Sequence, residues 1–102
     1  MNNIEIAYLG IQVAAKELNI SLPEISIIDE NSLGNKKITG TYSFKDNSIT
    51  FNEEWVNRSE WIEVLITSFH EMRHAYQGYC IRTRTRESEE TINKWNMKQI
   101  II

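Results

Sequence analysis

A single cysteine, Cys80, cannot close an internal disulfide, which removes the disulfide-stapled domains from consideration and favours a reducing compartment. No apolar run approaches the ~20 residues needed to span a bilayer, and Met1-Asn2-Asn3-Ile4-Glu5 has no basic region ahead of an apolar stretch. The expectation is a cytoplasmic, uncleaved protein without a membrane partner. Charge is not in excess either: a net value of -3 gives no general attraction to nucleic acid. Arg82, Arg84 and Arg86 alternate but have no interleaved aromatics, so they read as a solvated edge and no nucleic-acid partner is expected. Repeats, low-complexity segments and linkers are also lacking, which at 102 residues leaves one domain over residues 1–102. Within it, 41% hydrophobic and 25% charged residues are the proportions of an ordinary globular core and surface.

Ile4, Tyr8, Ile11, Ala15 and Leu18 recur at spacings of three and four, which predicts an amphipathic helix over residues 3–19. Asn19 is its expected stop, and the one proline, Pro23, forbids easy continuation. Ile25, Ile27 and Ile28 predict a short strand in residues 24–29, followed by a loop over 31–35 containing Gly34. A hairpin follows, with Ile38 to Phe44 as one strand, residues 45–48 as the turn, and Ile49 and Phe51 on the return strand. Gly40 marks a bulge or a close backbone approach. Residues 52–57 are expected to leave the sheet, and a second helix to begin near Asn57 or Ser59 and end at Gly78. Ile62, Leu65, Phe69, Met72 and Tyr76 form its expected buried stripe, with Glu63, Thr67, His70, His74 and Gln77 on the neighbouring one. Residues 79–86 are ambiguous between loop and extended chain, and a third helix is expected over 87–99, anchored by Ile92 and Trp95. The apolar tail from Gln99 to Ile102 either docks on the core or marks a chain shorter than its relatives.

Only two histidines occur, and both fall in the second helix in the pattern His70-Glu71-x-x-His74. Four residues apart on a helix, the imidazoles lie one above the other and can reach one cation. Glu71, one step on, is placed to take a proton from an attacking water without being a ligand. A hydrolytic zinc site needs that combination: neutral imidazoles, an open position and a carboxylate base.

The motif, with the preceding hairpin and Ile49-Thr50-Phe51-Asn52, resembles the zincin metallopeptidases over roughly residues 25–77. It is most similar to the small proteins of bacteria, phages and mobile elements of the ImmA/IrrE type. The resemblance implies an α+β fold: a minimal zincin-like domain with an N-terminal helix, a small twisted three-stranded sheet, the motif helix and a C-terminal helix. It further implies a zinc-dependent hydrolase acting on a protein or peptide, with His70 and His74 as ligands, Glu71 as general base and later proton donor, and the edge strand of the hairpin as the place where substrate adds.

With both histidines used, the third ligand is a carboxylate, Cys80, or nothing. Cys80 follows His74 too closely for comfortable geometry, which leaves Glu87, Glu89 and Glu90. Glu89, three residues before Ile92 and six before Trp95, faces inward on the expected third helix and is the assigned ligand. Relatives carry small residues after that ligand, which this chain lacks, so a second expectation stands beside the first: a non-catalytic zincin-like binding or regulatory protein with an incomplete site. Arg73 is expected to pair with Glu89 or Glu90, or to meet a substrate carbonyl or carboxylate. Trp55, Trp61 and Trp95 read as core and interface packing in preference to a ligand cage, and Tyr76 as core in preference to an oxyanion donor.

Overall fold

The computed structural model describes residues 1–35 and 37–83, a mixed arrangement of four helices and a three-stranded sheet. Helix α1 (Asn3–Leu18) starts in a capping box, where the Asn2 side chain accepts from the Glu5 amide at 2.8 Å and Glu5 Oε1 accepts from the Asn2 amide. It stops at Asn19, whose φ of 55° lies in the left-handed region that asparagine tolerates. The residues it buries are Ala7, Gly10, Ile11, Ala14 and Ala15, whereas Tyr8 is exposed. Small residues take the inward face because α1 lies very close to the long helix α4 (Trp61–Thr83). A Cβ added at Gly10 would stand 2.8 Å from Ser68 Cβ and 3.0 Å from Leu65 Cδ1. Ser68 is fully buried there, its hydroxyl within bonding distance of the Ala7 and Val64 carbonyls at 3.2 and 3.0 Å.

Strands β1 (Glu24–Ile28), β2 (Gly40–Ser43) and β3 (Ser48–Asn52) form a sheet in the order β1-β3-β2, with β1 parallel and β2 antiparallel to the central β3. The expected hairpin is thus present, and β2 is an edge. Ile49 and Phe51 point into the core with Ile11, Val56, Val64, Met72 and Ala75. Two short helices replace expected loops. Helix α2 (Glu30–Leu33) is capped by Asp29 and closed by Gly34, and α3 (Glu53–Arg58) is capped by Asn52. Asn52 is wholly buried: its Oδ1 accepts from the Trp55 amide, while its Nδ2 donates to the Ile38 carbonyl at 2.9 Å and to Glu30 Oε1 at 3.1 Å. An asparagine followed by Glu53 and Glu54 is a helix start, which explains why the chain turns helical directly after the sheet.

Helix α4 departs from expectation at both ends and on its buried face. Ser59 does not begin it but ends α3, donating its hydroxyl to the Trp55 carbonyl. Gly78 does not stop it; the helix continues to Thr83, through residues expected to be loop or extended chain. Gly78 is instead required by close approach, since a Cβ there would lie 2.7 Å from Tyr42 Oη and 3.1 Å from Phe44 Cδ2. The buried face is Val64, Ser68, Glu71, Met72, Ala75 and Gly78, so of the expected stripe only Met72 is fully buried and Ile62 is exposed. Trp61 is exposed as well and takes no part in the core, while Trp55 packs half-buried against it. Arg82 is exposed, as expected, and is also engaged: its Nη2 donates to the Phe44 carbonyl at 2.7 Å and Tyr42 Oη at 3.3 Å, and its guanidinium lies 4.7 Å over the Phe44 ring. Arg84, Arg86, Trp95, the expected third helix and the apolar tail lie outside the described residues. Among the described residues no helix is long and apolar enough to cross a membrane.

The Gly10–Ser68 contact makes a stability prediction. Gly10→Ala gains ~1 kcal/mol of helix propensity but forces apart two helices whose facing atom is a rigid Cβ, an overpacking that costs about 1–3 kcal/mol. The variant is expected to melt roughly 5 °C below wild type. An unchanged or higher Tm would mean that the helices do not depend on this approach.

Candidate metal centre

The α-helical repeat puts His70 and His74 on one face of α4, their ring centroids 4.9 Å apart and their planes at 84°. Glu71, one position round the helix, brings a carboxylate to the same spot. Ligand atoms of all three side chains lie within 4.8 Å of one another. Metal–nitrogen bonds of about 2.0–2.1 Å in a tetrahedral site put ligand atoms roughly 3.3 Å apart, a gap that small side-chain rotations close. The group can therefore hold a metal ion, and its mixed nitrogen and oxygen donors suit a borderline divalent cation.

The three side chains differ in setting. His70 is exposed, His74 half-buried, and Glu71 only 4% exposed. Glu71 reaches that depth because α4 turns it under β2, where its Cγ would lie 3.5 Å from a Cβ built on Gly40. Its Oε2 is buried with no hydrogen-bond partner among the described residues. Burial pushes the carboxyl from 4.5 up to about 7, against the opposing pull of the Arg73 guanidinium. A buried carboxylate oxygen without a donor is an acceptor that a cation or a water would satisfy.

His74 is oriented from both sides. Its Nδ1 lies 3.2 Å from Gln77 Oε1, so with that oxygen as acceptor Nδ1 carries the hydrogen and Nε2 presents its lone pair. An Arg73 Nη2 stands 3.4 Å from that Nε2. Arg73 was expected to pair with Glu89 or Glu90; those residues lie outside the described part of the chain, and within it the guanidinium is placed against the ligand nitrogen. Glu71 and His74 open onto a cleft of about 410 Å³ between the hairpin and α4, lined also by Tyr42, Phe44, Gln77, Gly78 and Ile81.

The motif residues His70, Glu71 and His74 are thus brought together. Glu89, assigned as third ligand, lies outside the described residues. Cys80 is a buried free thiol on α4 and stands apart from the group. Tyr76 stacks on Tyr79, centroids 6.2 Å apart. Gln77 and the cleft-lining Tyr42 were not singled out as site residues. Gln77 carries a usable signal, since i+3 from a helical histidine is within hydrogen-bond reach; Tyr42 is joined to the site only by tertiary packing. No protein-family model, curated protein or solved structure matches the chain.

Two outcomes are expected. Gln77→Ala frees the His74 ring and is expected to weaken binding of an added divalent metal ion about 10- to 100-fold in competition with a chromophoric chelator; unchanged affinity would remove Gln77 from the site. Metal-free protein also reports the state of Glu71. Below pH 4.5 the carboxyl is protonated in both folded and unfolded chains and adds no penalty. Between 4.5 and about 7 the unfolded chain ionises first, so the folded state loses stability as pH rises, and the full penalty is present above pH 7. The stability of Glu71→Gln relative to wild type is therefore expected to grow by roughly 2–3 kcal/mol from pH 5 to pH 8 in urea unfolding. A difference that does not vary with pH would mean that Glu71 is solvated.

Proposed function

We propose that the protein is a zinc-dependent peptidase of the His-Glu-x-x-His kind, cutting a peptide bond in a protein or peptide substrate. The observation that carries the reading is the convergence of two imidazoles with a buried carboxylate oxygen that has no hydrogen-bond partner among the described residues, Glu71 and His74 lining an open cleft. His70 and His74 would hold the ion through ring nitrogens, with Gln77 fixing the His74 tautomer. A third ligand, assigned to Glu89, would come from the chain beyond α4. Zinc supplies Lewis-acid polarisation and acidifies water when bound. Glu71 takes the proton of the water that attacks the scissile carbonyl carbon, and delivers it to the amide nitrogen as the C–N bond breaks. Burial raises the proton affinity of its carboxyl, which is the property a general base needs. The free buried thiol of Cys80 is consistent with a cytoplasmic site of action.

A second reading has its own observation. The Arg73 guanidinium stands against His74 Nε2, the nitrogen a metal would use, and a site closed in this way would suit a non-catalytic binding or regulatory protein.

Zinc titration and peptide hydrolysis separate the two. The peptidase reading expects one zinc per chain, at least a 100-fold weaker affinity for His74→Ala, a smaller loss for Glu89→Ala, and Glu71→Gln binding zinc while losing about 10²–10⁴ in hydrolysis rate. It fails if Glu71→Gln cleaves as fast as wild type. Weak or sub-stoichiometric zinc binding, with no hydrolysis of any peptide in a mixed-sequence library, is the outcome the second expects.

A further inference from the structure

We propose that the outer side of the α1–α4 layer, turned away from the sheet, is a self-association surface on which a second copy of the chain docks with its helices antiparallel. The proposal makes no use of the metal group.

Helices α1 and α4 run in the same direction. Asn3, at the start of α1, donates from its side chain to the Val56 and Ser59 carbonyls just ahead of α4, at 2.8 and 2.6 Å, and Gly10, two turns on, meets Leu65 and Ser68. With that contact line fixed, the helical repeat places every other side chain. Ile11 and Ala15 of α1 and Val64 and Ala75 of α4 are in the core. Ile6, Leu9 and Val13 of α1 and Ile62, Leu65 and Ile66 of α4 then fall on the opposite side, in one strip that crosses from helix to helix. Leu9, Val13, Ile62 and Ile66 are each between 38% and 45% exposed. Helices that are apolar on more than one side are ordinarily buried on each of them.

The size of the strip bears on what covers it. Four side chains about two-fifths uncovered, with half-buried Ile6 and Leu65 among them, present roughly 350 Å² of apolar surface, a size at which a contiguous patch marks an interaction site. With a polar rim in the usual share of about two-fifths, two such faces bury roughly 1,200 Å² between them, the lower bound of a specific interface. That area suits a reversible dimer and is too small for an obligate one.

A second copy brings an equally apolar face, and the placement of charge favours it. Glu5 and Lys16 are both exposed and stand eleven residues apart, close to three helical turns, so they share one line along the edge of the strip. Glu17 lies about 100° round from that line. A two-fold axis crossing both helices at the level of Gly10 reverses the helices of the copy, so that each Glu5 faces the other chain's Lys16. The same axis sets the N-terminal ends of α1 and α4, positive in the helix dipole, against the C-terminal ends of their copies. Parallel docking would oppose like ends throughout. The cleft between α4 and the hairpin is on the other side of the helix, so the candidate metal centre stays accessible in such a dimer.

Sedimentation velocity of the full chain, from about 5 µM to about 1 mM, is expected to show a monomer–dimer equilibrium with a Kd of about 10–100 µM. Val13→Glu and Ile66→Glu, both at exposed positions, should each weaken it at least ~10-fold while leaving Tm within about 2 °C of wild type. Lys16→Glu should weaken it about 3-fold, and Lys16→Glu combined with Glu5→Lys should restore it, as only a self-complementary contact allows. A chain that is monomeric at about 1 mM overturns the proposal. So does a dimer insensitive to both Val13→Glu and Ile66→Glu, or a double charge variant that associates no better than Lys16→Glu alone. A monomer in which Val13→Glu shifts the amide resonances of residues 84–102 overturns it too, and assigns the strip to the chain's own C-terminal segment.

Discussion

The separation between α1 and α4 at Gly10 and Ser68 governs the rest of the molecule. With no side chain at Gly10, the two backbones come together until Ser68 has no exposed surface and must place its hydroxyl against helix carbonyls. That contact fixes the rotation of α4 about its own axis. Once Ser68 faces α1, the 3.6-residue repeat turns Met72 and Ala75 into the core, sends Glu71 under β2, and leaves His70 and His74 facing outward. A rotation of α4 by one residue position, about 100°, would in one sense bury both imidazoles and in the other expose the carboxylate. The candidate site is thus positioned by a helix contact that holds none of its residues.

The same rotation explains why the structure contains an unfavourable feature. A carboxyl at 4% exposure with one oxygen lacking a donor among the described residues opposes folding at neutral pH, by an amount that is a sizeable share of the ~5–15 kcal/mol net stability of a small domain. Glutamine or methionine at that position would fold at least as well. A destabilising group kept at the head of a cleft, next to two imidazoles, is the pattern expected of a residue placed for chemistry in preference to packing. Gly78 repeats the theme at the other end of the cleft: it weakens the middle of a 23-residue helix, yet it lets Tyr42 and Phe44 come within van der Waals reach.

Local signals account for what was legible in the sequence. The span of α1 follows from its periodicity and Asn19, the hairpin from alternating apolar residues around a polar turn, and the pairing of His70 with His74 from helical spacing alone. What was not legible depends on tertiary distance. Gly78 looks like a helix stop because glycine usually is one, and only the hairpin above it reveals another use. The apolar stripe of α4 was drawn through its largest hydrophobic residues, whereas close helix contact selected Ser68, Ala75 and Gly78 for their size. Glu71 reads as a solvated carboxylate in any helical projection that puts Ile62 and Leu65 inside. Asn52 with Glu53 and Glu54 was a readable helix start, passed over because acidic residues after a strand also read as an exit loop.

Arg73 ties these features to the choice between the two readings. Its guanidinium lies 3.4 Å from the lone pair of His74 and close enough to Glu71 to oppose the effect of burial on that carboxyl. It therefore does for the metal-free group what a cation would do: it supplies positive charge to a carboxylate and a donor to an imidazole nitrogen. A divalent ion at the same point carries twice the charge and forms direct bonds, but it has to displace the guanidinium first, so the two compete for one nitrogen. Competition of this kind lowers the apparent affinity for metal by the factor with which the guanidinium occupies the site. A guanidinium that yields readily leaves the two imidazoles open to a metal ion, and one that holds firmly keeps them closed to it. How readily the group takes up an ion therefore depends on the Arg73 contact with a ring whose other nitrogen lies against Gln77.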